Sequence, residues 1–547
     1  SSRISSLEKL ASSGNNSAQL ALAKFHLYGL GLKKSPYRAL KLAKKAATQG
    51  NVAAQELLAR CNEDGLGTPK SISNAFYWYE KAAKGGSAKA ASRLAFFYEY
   101  GIAHPKDMQT ALDWYERAAE KNDSAALYRL AEYYRWEAFP RPSDLSDGPR
   151  APELAVSYYE RAAKAGSPQA QLELAKLYKR RWRSLANLAL ESGTESLASL
   201  ALETGTGSQE RAISLSGTGT DPGTDSGTEP GTDTDTDTGT GTGTGTDRLA
   251  AQSIMWLKKA ANAGLAEALI KLGDCYRLGE GIEENAEKAL RAYENAAAQG
   301  DASAKYRLGL CFEFGIGSKA DPELAAQYYT DSANGSFISA FVRLGLSLER
   351  GLGLERSPKD AYFKYNKAAL EDNAQGHYHL GRCYEEGIGR EEDLFNAKRH
   401  YFFAARRGHA LAMIALADLR KDLKDSSHWY RLAAKELSLD CGHPEISRPL
   451  SFFANLKGNQ KSLKRAADKG HPSACFDYAF LLESTLKGDK NLTDIHHYYK
   501  KAAKLLAEVA SERDIAIKRA FLAPSRWNQG DPYALDTETA STPLSLH

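Results

Sequence analysis

Cysteine is scarce in this sequence, with six residues in a chain of 547. Disulfide-stabilised domains need a much higher cysteine density, so the composition excludes a disulfide scaffold. No stretch of about 20 consecutive apolar residues occurs, so the sequence predicts no membrane-spanning helix. The formal net charge of +4 is small for this length, and by itself it indicates no class of partner.

Motifs of catalysis are missing as well. The sequence contains no Gly-x-Ser-x-Gly, no His-Glu-x-x-His and no Walker phosphate-binding sequence. His379 and Cys383 have the i, i+4 spacing of zinc ligands on one helix, but Cys383 belongs to a recurring core position. We therefore expect no catalytic residue, metal ligand, cofactor or small-molecule substrate.

Glycine raises the question of a phosphate-binding loop, because LGRCYEEGIGREED at 380–393 contains a Gly-x-Gly. A phosphate-binding loop of that type follows a β-strand and opens a helix. Here Leu380, Cys383 and Tyr384 precede the glycines at helical spacing, and the third glycine of the motif is replaced by Glu392. Gly387 is therefore predicted to end a helix.

The glycine pair recurs every 36 residues, and alanine pairs recur at the same interval. A fixed period of this length indicates a repeat architecture, in which the chain length counts repeats rather than globular domains. The first glycines are Gly29, Gly65 and Gly101 in one series and Gly279, Gly315, Gly351 and Gly387 in another, and Ala103 replaces the second glycine after Gly101.

One repeat can be followed in full from position 301 to position 335. Asp301 is predicted to cap a first helix that Gly315 ends, and Gly309 within it permits close helix contact. Asp321 is predicted to cap a second helix, with Pro322 at its first position. Each repeat is therefore predicted to be a pair of antiparallel helices.

Twelve such pairs can be traced along the chain. Their second helices are centred near Ala46, Ala82, Ala118, Ala162, Ala260, Ala296, Ser332, Ala368, Ala404, Ala433, Ala466 and Ala502. The fourth repeat has a longer loop at 139–152, and the tenth is short. The fifth contains a long insert between its two helices, with its first helix expected to end before the insert.

The pattern resembles the Sel-one-like repeat family, a relative of the tetratricopeptide repeats. HYHLGRCYEEGIG and KYRLGLCFEFGIG match the first half of the family unit, and ALDWYERAA and AFYWYEKAA match the second. The resemblance extends roughly from position 5 to position 505, apart from the insert. A pentatricopeptide reading would imply RNA binding, but the repeats lack the Pro-Asp junctions of that class.

The resemblance implies an all-α solenoid, a right-handed superhelix of about twelve helix pairs whose concave side carries the first helices. It also implies a non-catalytic scaffold or adaptor for a partner protein or peptide, in a complex such as a membrane-associated or degradation machinery. The alternative is a basic solenoid that binds nucleic acid or an anionic membrane surface, although nucleic acid is the less expected partner.

One column of residues is a candidate site for an acidic partner. The position before the leucine of the first helix is cationic in five repeats, at Arg93, Arg129, Lys271, Arg307 and Arg343. These cations would form a basic strip that receives an acidic segment. In the alternative interpretation they form an ion-pair ladder with a recurring glutamate, at Glu63, Glu99, Glu313, Glu349 and Glu385.

Four segments follow from these patterns: repeats over 1–183, an insert over 184–247, repeats over 248–520 and a tail over 521–547. The insert is acidic and rich in Gly, Thr and Asp, so it is expected to be disordered, as is the tail. The chain begins within a repeat, so its natural N-terminus is expected upstream. A cytoplasmic location is expected, with a secretory or endoplasmic-reticulum-lumenal one left open.

Overall fold

The computed structural model describes residues 2–135, 151–192, 245–440, 460–485 and 492–511. Within these ranges the chain forms 24 α-helices and no strand. They fall into two compact units, residues 1–272 with 280–283 and residues 273–279 with 284–547. The fold is the predicted α-solenoid of helix pairs.

The first unit contains the helices up to the start of α12. In chain order they are α1 (Ser2–Ser12), α2 (Asn16–Tyr28), α3 (Pro36–Thr48), α4 (Val52–Asp64), α5 (Ile72–Lys84), α6 (Ala88–Tyr100), α7 (Met108–Glu120), α8 (Ser124–Arg135), α9 (Ala151–Lys164), α10 (Pro168–Ser192) and α11 (Gly245–Asn262). The division between the units falls within α12 (Ala266–Leu278).

The second unit contains the remaining helices. They are α13 (Ala286–Ala298), α14 (Ala302–Phe314), α15 (Pro322–Asn334), α16 (Ile338–Arg350), α17 (Pro358–Leu370), α18 (Ala374–Glu386), α19 (Leu394–Arg406), α20 (Ala410–Asp418), α21 (Leu423–Asp440), α22 (Gln460–Asp468), α23 (Pro472–Thr485) and α24 (Leu492–Ala510). All twelve predicted second helices are present, and eleven of the first helices lie in described residues.

The predicted capping residues lie at the ends of the helices. The Asp301 carboxylate accepts a hydrogen bond from the Ala304 amide at 2.8 Å, and Asp321 accepts one from Leu324 at 2.9 Å. Gly387 ends α18 with φ of 68°, and its amide donates to the Cys383 carbonyl. The Gly-x-Gly segment is therefore a helix terminus, as its sequence context predicts.

Tight packing between the two helices of a repeat depends on a small residue in the first helix. A Cβ atom on Gly309 would overlap the ring of Tyr329, which is 1% exposed in the second helix. The same position is glycine in four repeats of the second unit and alanine in five of the first. These residues are Gly273, Gly309, Gly345 and Gly381, and Ala23, Ala59, Ala95, Ala131 and Ala175.

The insert begins later than the sequence predicts. Helix α10 continues to Ser192, although 184–192 was expected to belong to the disordered segment. The reason is that SLANLALES is rich in helix-forming Leu and Ala, and Leu185 is buried with 8% exposure. Helix α11 begins at Gly245. Residues 193–244 and the predicted tail at 521–547 lie outside the described residues, as does most of the long loop at 139–152.

The C-terminal end of the second unit departs from stacking in chain order. Helix α21 packs along α24, which is three helices later in the chain. Helix α23 packs against α22 and α24. The His496 ring of α24 meets the Tyr430 ring of α21 at 5.5 Å, and Lys500 lies 3.1 Å from Asp418. The last helix of the described chain thus occupies the place next to the tenth repeat.

Candidate protein-interaction site

Four of the five predicted site cations are held by carboxylates of the preceding first helix. Arg343 lies 3.1 Å from Glu313 and Arg129 lies 3.7 Å from Glu99, while Arg93 forms two hydrogen bonds with Glu63 through its Nε. Arg307 lies 3.2 Å from Asp274. Lys271 lies 3.7 Å from Glu267 on its own helix.

Tyrosines of the second helices complete this ladder, and the sequence interpretation missed them. The Tyr79 hydroxyl donates to Glu63 at 2.7 Å, and the Tyr115 hydroxyl donates to Glu99 at 2.6 Å. The same bond recurs from Tyr329, Tyr365 and Tyr401 to the glutamate 16 residues earlier. The recurring Glu–Tyr spacing was the signal in the sequence that could have found it.

The Glu63 carboxylate of the ladder is partly enclosed. Burial raises the pKa of Glu63, but the hydrogen bonds from Arg93 and Tyr79 outweigh burial and hold that pKa below its ordinary value. Burial and the bond to Glu63 together raise the pKa of Tyr79. The hydroxyl therefore remains a donor, and the glutamate remains an acceptor for both partners.

Two of the repeats that break the glutamate or arginine column repair the ladder from an adjacent turn. Arg277 occupies a glutamate position, and Asp274 one turn earlier accepts from Tyr293 and Arg307 instead. His379 occupies an arginine position, and Arg382 reaches Glu349 at 3.2 Å. His379 is enclosed against the Tyr365 ring, with 4.9 Å between ring centroids.

Exposure divides the predicted site residues into two groups. The side chains of Arg93, Arg129 and Lys271 are 40%, 35% and 42% exposed. Those of Arg307 and Arg343 keep only 11% and 16%. The five cations are therefore unequal, and the two buried arginines lie where packing and ion pairing account for them.

An arginine–aromatic cluster lies on α6 and α8 of the first unit. The guanidinium carbons of Arg93 and Arg129 lie 4.5 and 5.6 Å from the ring centroid of Phe96. The Tyr100 ring lies 4.5 Å from that of Phe96, and its hydroxyl accepts from Arg129 at 3.3 Å. Cation–π contacts of this kind hold two arginines beside two aromatic rings at the protein surface.

Comparison with known proteins decides the family. A model of the Sel1 repeat matches nine segments, which together cover more than half of the chain: 16–51, 52–87, 88–123, 124–167, 239–265, 266–301, 302–336, 340–373 and 374–409. The chain belongs to the Sel1 repeat family. Sel1 repeat proteins generally serve as non-enzymatic scaffolds for protein interaction.

Two solved structures are similar to this Sel1 repeat chain. One is the crystal structure of c5321, a protective antigen present in uropathogenic Escherichia coli strains, displaying an SLR fold. It has 20% identity and a TM-score of 0.56, with 97% of this chain and 98% of that chain covered. A Sel1 repeat protein from Oxalobacter formigenes has 20% identity and a TM-score of 0.31, with 76% and 90% covered. No curated protein matches the sequence significantly.

Other kinds of site find no support in the described part of this Sel1 repeat protein. Cys383 is fully buried beside the enclosed His379, and in the described ranges no three His, Cys, Asp or Glu side chains gather as metal ligands would. Among the described helices, none is both long and apolar enough to cross a membrane.

Proposed function

We propose that this Sel1 repeat protein is a non-catalytic adaptor that binds an acidic partner protein or peptide on its first helices. The observation that carries the proposal is the arginine–aromatic cluster of Arg93, Phe96, Tyr100 and Arg129. Assembly of a larger complex, such as a membrane-associated or degradation machinery, is the wider role that such an adaptor would serve.

The cluster has donors to offer a partner. Arg93 donates hydrogen bonds from its Nε and Nη2 to Glu63. In the described ranges, no acceptor lies within hydrogen-bond distance of its Nη1. Because Glu63 and Phe96 fix the guanidinium, a carboxylate that binds it orders little further side-chain freedom. The cluster therefore favours an acidic side chain flanked by an apolar one.

Tyr100 supplies the apolar surface beside those donors. Its side chain is 53% exposed although its ring contacts Phe96. Tyr28, on an earlier first helix of the same unit, is 52% exposed and accepts a hydrogen bond from Arg60. Tyrosine and arginine are among the side chains that most often carry binding energy at protein interfaces.

The test begins with selection of ligands for the full chain from a library of acidic peptides. Affinities are then measured by fluorescence anisotropy for the wild type and for the double variant Arg93→Glu, Arg129→Glu. We expect at least about a tenfold loss, because two charge-assisted contacts are reversed. The matched control is Arg38→Glu, Arg117→Glu, which makes the same charge change at exposed positions of second helices.

Equal losses in both double variants would reduce the effect to net charge and refute the site. Tight binding of generic duplex DNA, with a steep dependence on salt and no selected peptide, would support the nucleic-acid alternative instead.

A further inference from the structure

Helices α17 and α19, the second helices of consecutive repeats, are held near each other at both ends in the second unit. At their first residues, a Cβ atom on Gly389 would overlap the carbonyl of Pro358, so the turn before α19 lies directly on the start of α17. At their ends, Arg407 donates from its Nε to Asp372 at 3.0 Å. Contacts at both ends keep equivalent positions of the two helices adjacent.

The exposed side chains of α19 are all either bulky and apolar or basic. They are Leu394, Phe395, Lys398, Arg399 and Arg406. Phe395 is 72% exposed and Leu394 is 54% exposed. The helix contains no acidic residue.

Helix α17 exposes the same two kinds of side chain, with Asp360 as its one exposed acid. Phe363 is 55% exposed and Leu370 is 77% exposed, and Lys359 and Lys367 lie among them. Such large apolar side chains, gathered on adjacent helices, mark a contact surface rather than scattered surface residues. We refer to the exposed apolar and basic residues of α17 and α19 as the outer patch.

The outer patch is a mosaic in which apolar and basic groups alternate between the helices. Positions 36 residues apart are equivalent, and in three such pairs one residue is apolar and the other basic. The pairs are Lys359 with Phe395, Phe363 with Arg399, and Leu370 with Arg406. Each exposed apolar side chain of these pairs therefore has a cation at the same position of the neighbouring helix.

The preceding second helices show that this composition is not general to the repeats. Helix α21, which follows, still exposes Leu423 beside Lys424 and Lys435, and its other exposed side chain among those described is His428. Helices α13 and α15, which precede, expose acidic residues at Glu287, Glu294, Glu323 and Asp331. The repeat fold alone therefore does not require an apolar and basic outer surface.

We propose that the outer patch binds the surface of an anionic phospholipid membrane. Its cations match lipid phosphates and anionic headgroups, while the Phe and Leu side chains enter the boundary with the acyl chains. Nucleic acid would use the cations and leave Leu370, Leu394 and Phe395 in water. The outer patch lies on second helices, so this inference is independent of the acidic partner proposed for the first helices.

The test is sedimentation of the full chain with phosphatidylcholine vesicles that contain or lack about 30 mol% phosphatidylserine. We expect binding only to the anionic vesicles. Arg399→Glu should weaken it about 25-fold, since each cation near such a surface contributes about fivefold and the reversal removes two charges. Phe363→Ser should weaken it about tenfold, because one partly inserted aromatic side chain is lost.

Two controls make the same changes at equivalent positions of other repeats. Arg291→Glu on α13 matches Arg399→Glu, and Gln327→Ser on α15 matches Phe363→Ser. Both controls should bind as the wild type does, and circular dichroism should show all variants folded. Absence of binding to anionic vesicles would overturn the proposal. Equal losses in Arg291→Glu, or full binding by Phe363→Ser, would overturn it too.

Discussion

Arg307 lies with its Nε 3.2 Å from a carboxylate oxygen of Asp274, and only 11% of the arginine side chain is exposed. Burial raises the pKa of Asp274, but the charge and hydrogen bonds of Arg307 and the hydrogen bond from Tyr293 together hold that pKa below its ordinary value. The equivalent Arg93 keeps 40% exposure beside Glu63. The same column of the sequence therefore contains an enclosed ion pair and an accessible one.

This difference predicts unequal effects of charge reversal on stability. Arg307→Glu should cost about 3 kcal/mol or more, because it places two carboxylates together in a largely buried site. Arg93→Glu should cost less, because position 93 is more exposed and the new glutamate side chain can turn away from Glu63 into water. Thermal unfolding followed by circular dichroism measures both. Equal losses would show that exposure does not set the strength of the ladder.

Glycine at position 309 predicts a packing limit. Gly309→Ala should lower the free energy of unfolding by about 1–3 kcal/mol, because the added methyl group collides with the buried ring of Tyr329. That loss should exceed the gain of about 1 kcal/mol from better helix propensity. Ala95→Gly, at the equivalent position of the first unit, should also destabilise, through propensity. A more stable Gly309→Ala variant would mean that Tyr329 has room to move.

A histidine pair predicts a loss of stability in acid. His377 and His400 face each other with 3.1 Å between their Nδ1 atoms, and Arg399, Arg390, Arg407 and Asp372 are the charged groups around them. Burial, with the charges of His377 and Arg399, lowers the pKa of His400 to about 4. The unfolded chain then binds more protons than the folded chain below about pH 6.5, so stability should fall from there towards pH 4.

The measurement is the melting temperature between pH 7.5 and pH 5. His400→Gln should flatten the acid-side fall, because glutamine keeps a hydrogen-bonding group and does not titrate. His104→Gln, at an exposed loop position, serves as the control and should leave the profile of the wild type. An unchanged profile in His400→Gln would remove the pair as the cause.

Thiol chemistry gives a separate test of the core. The five described cysteines are all buried thiols that form no disulfide. Burial raises the pKa of Cys311 and of Cys383 to about 12, so their thiolates are rare at neutral pH. A chromogenic disulfide reagent at pH 8 should titrate at most Cys441, the sixth cysteine, in the native protein, and all six in denaturant. Rapid native labelling of several thiols would contradict the packing.

The ends of α10 and α11 predict where the chain can be shortened. Replacing 193–244 with a short Gly-Ser linker should preserve helicity and melting, because closing a shorter loop changes the entropy by only about 2 kcal/mol. Removing 184–247 should destabilise the protein, since it also deletes buried Leu185. Comparison of the two deletions by circular dichroism tests the boundary. Equal stability would restore the boundary at 184.

The repeat fold was predictable because the same kinds of capping and turn residues recur along the chain. Asp301, Gly315 and Asp321 have the caps and turns that the sequence indicates, and every repeat offers an independent reading of the period. The site was less predictable, because long side chains reach across turns. Asp274 and Arg382 restore the ladder from positions that no column contains.

Exposure along the arginine column depends on neighbours rather than on the column itself. Tyr306 is 1% exposed, and it is among the groups that raise the pKa of the enclosed Arg343. The equivalent residue in the repeat before Arg129 is Ser92, which is too small to give the same cover. The packing of α24 against α21 could not be predicted for a similar reason. The sequence period fixes where each helix begins and ends, but contacts between distant segments decide which helices pack together.

Arrays of identical units carry a hazard at their ends, because the surface that receives the next unit also fits a second molecule. Here α24 turns back onto α21, and Lys500 and Lys504 reach Asp418 as a following repeat's arginine would. The chain thereby covers the face of α21 with its own helix α24, which comes from a later repeat. Within the described residues, the face of α21 on which a following helix would pack is therefore covered by the chain itself, which disfavours head-to-tail growth through that face.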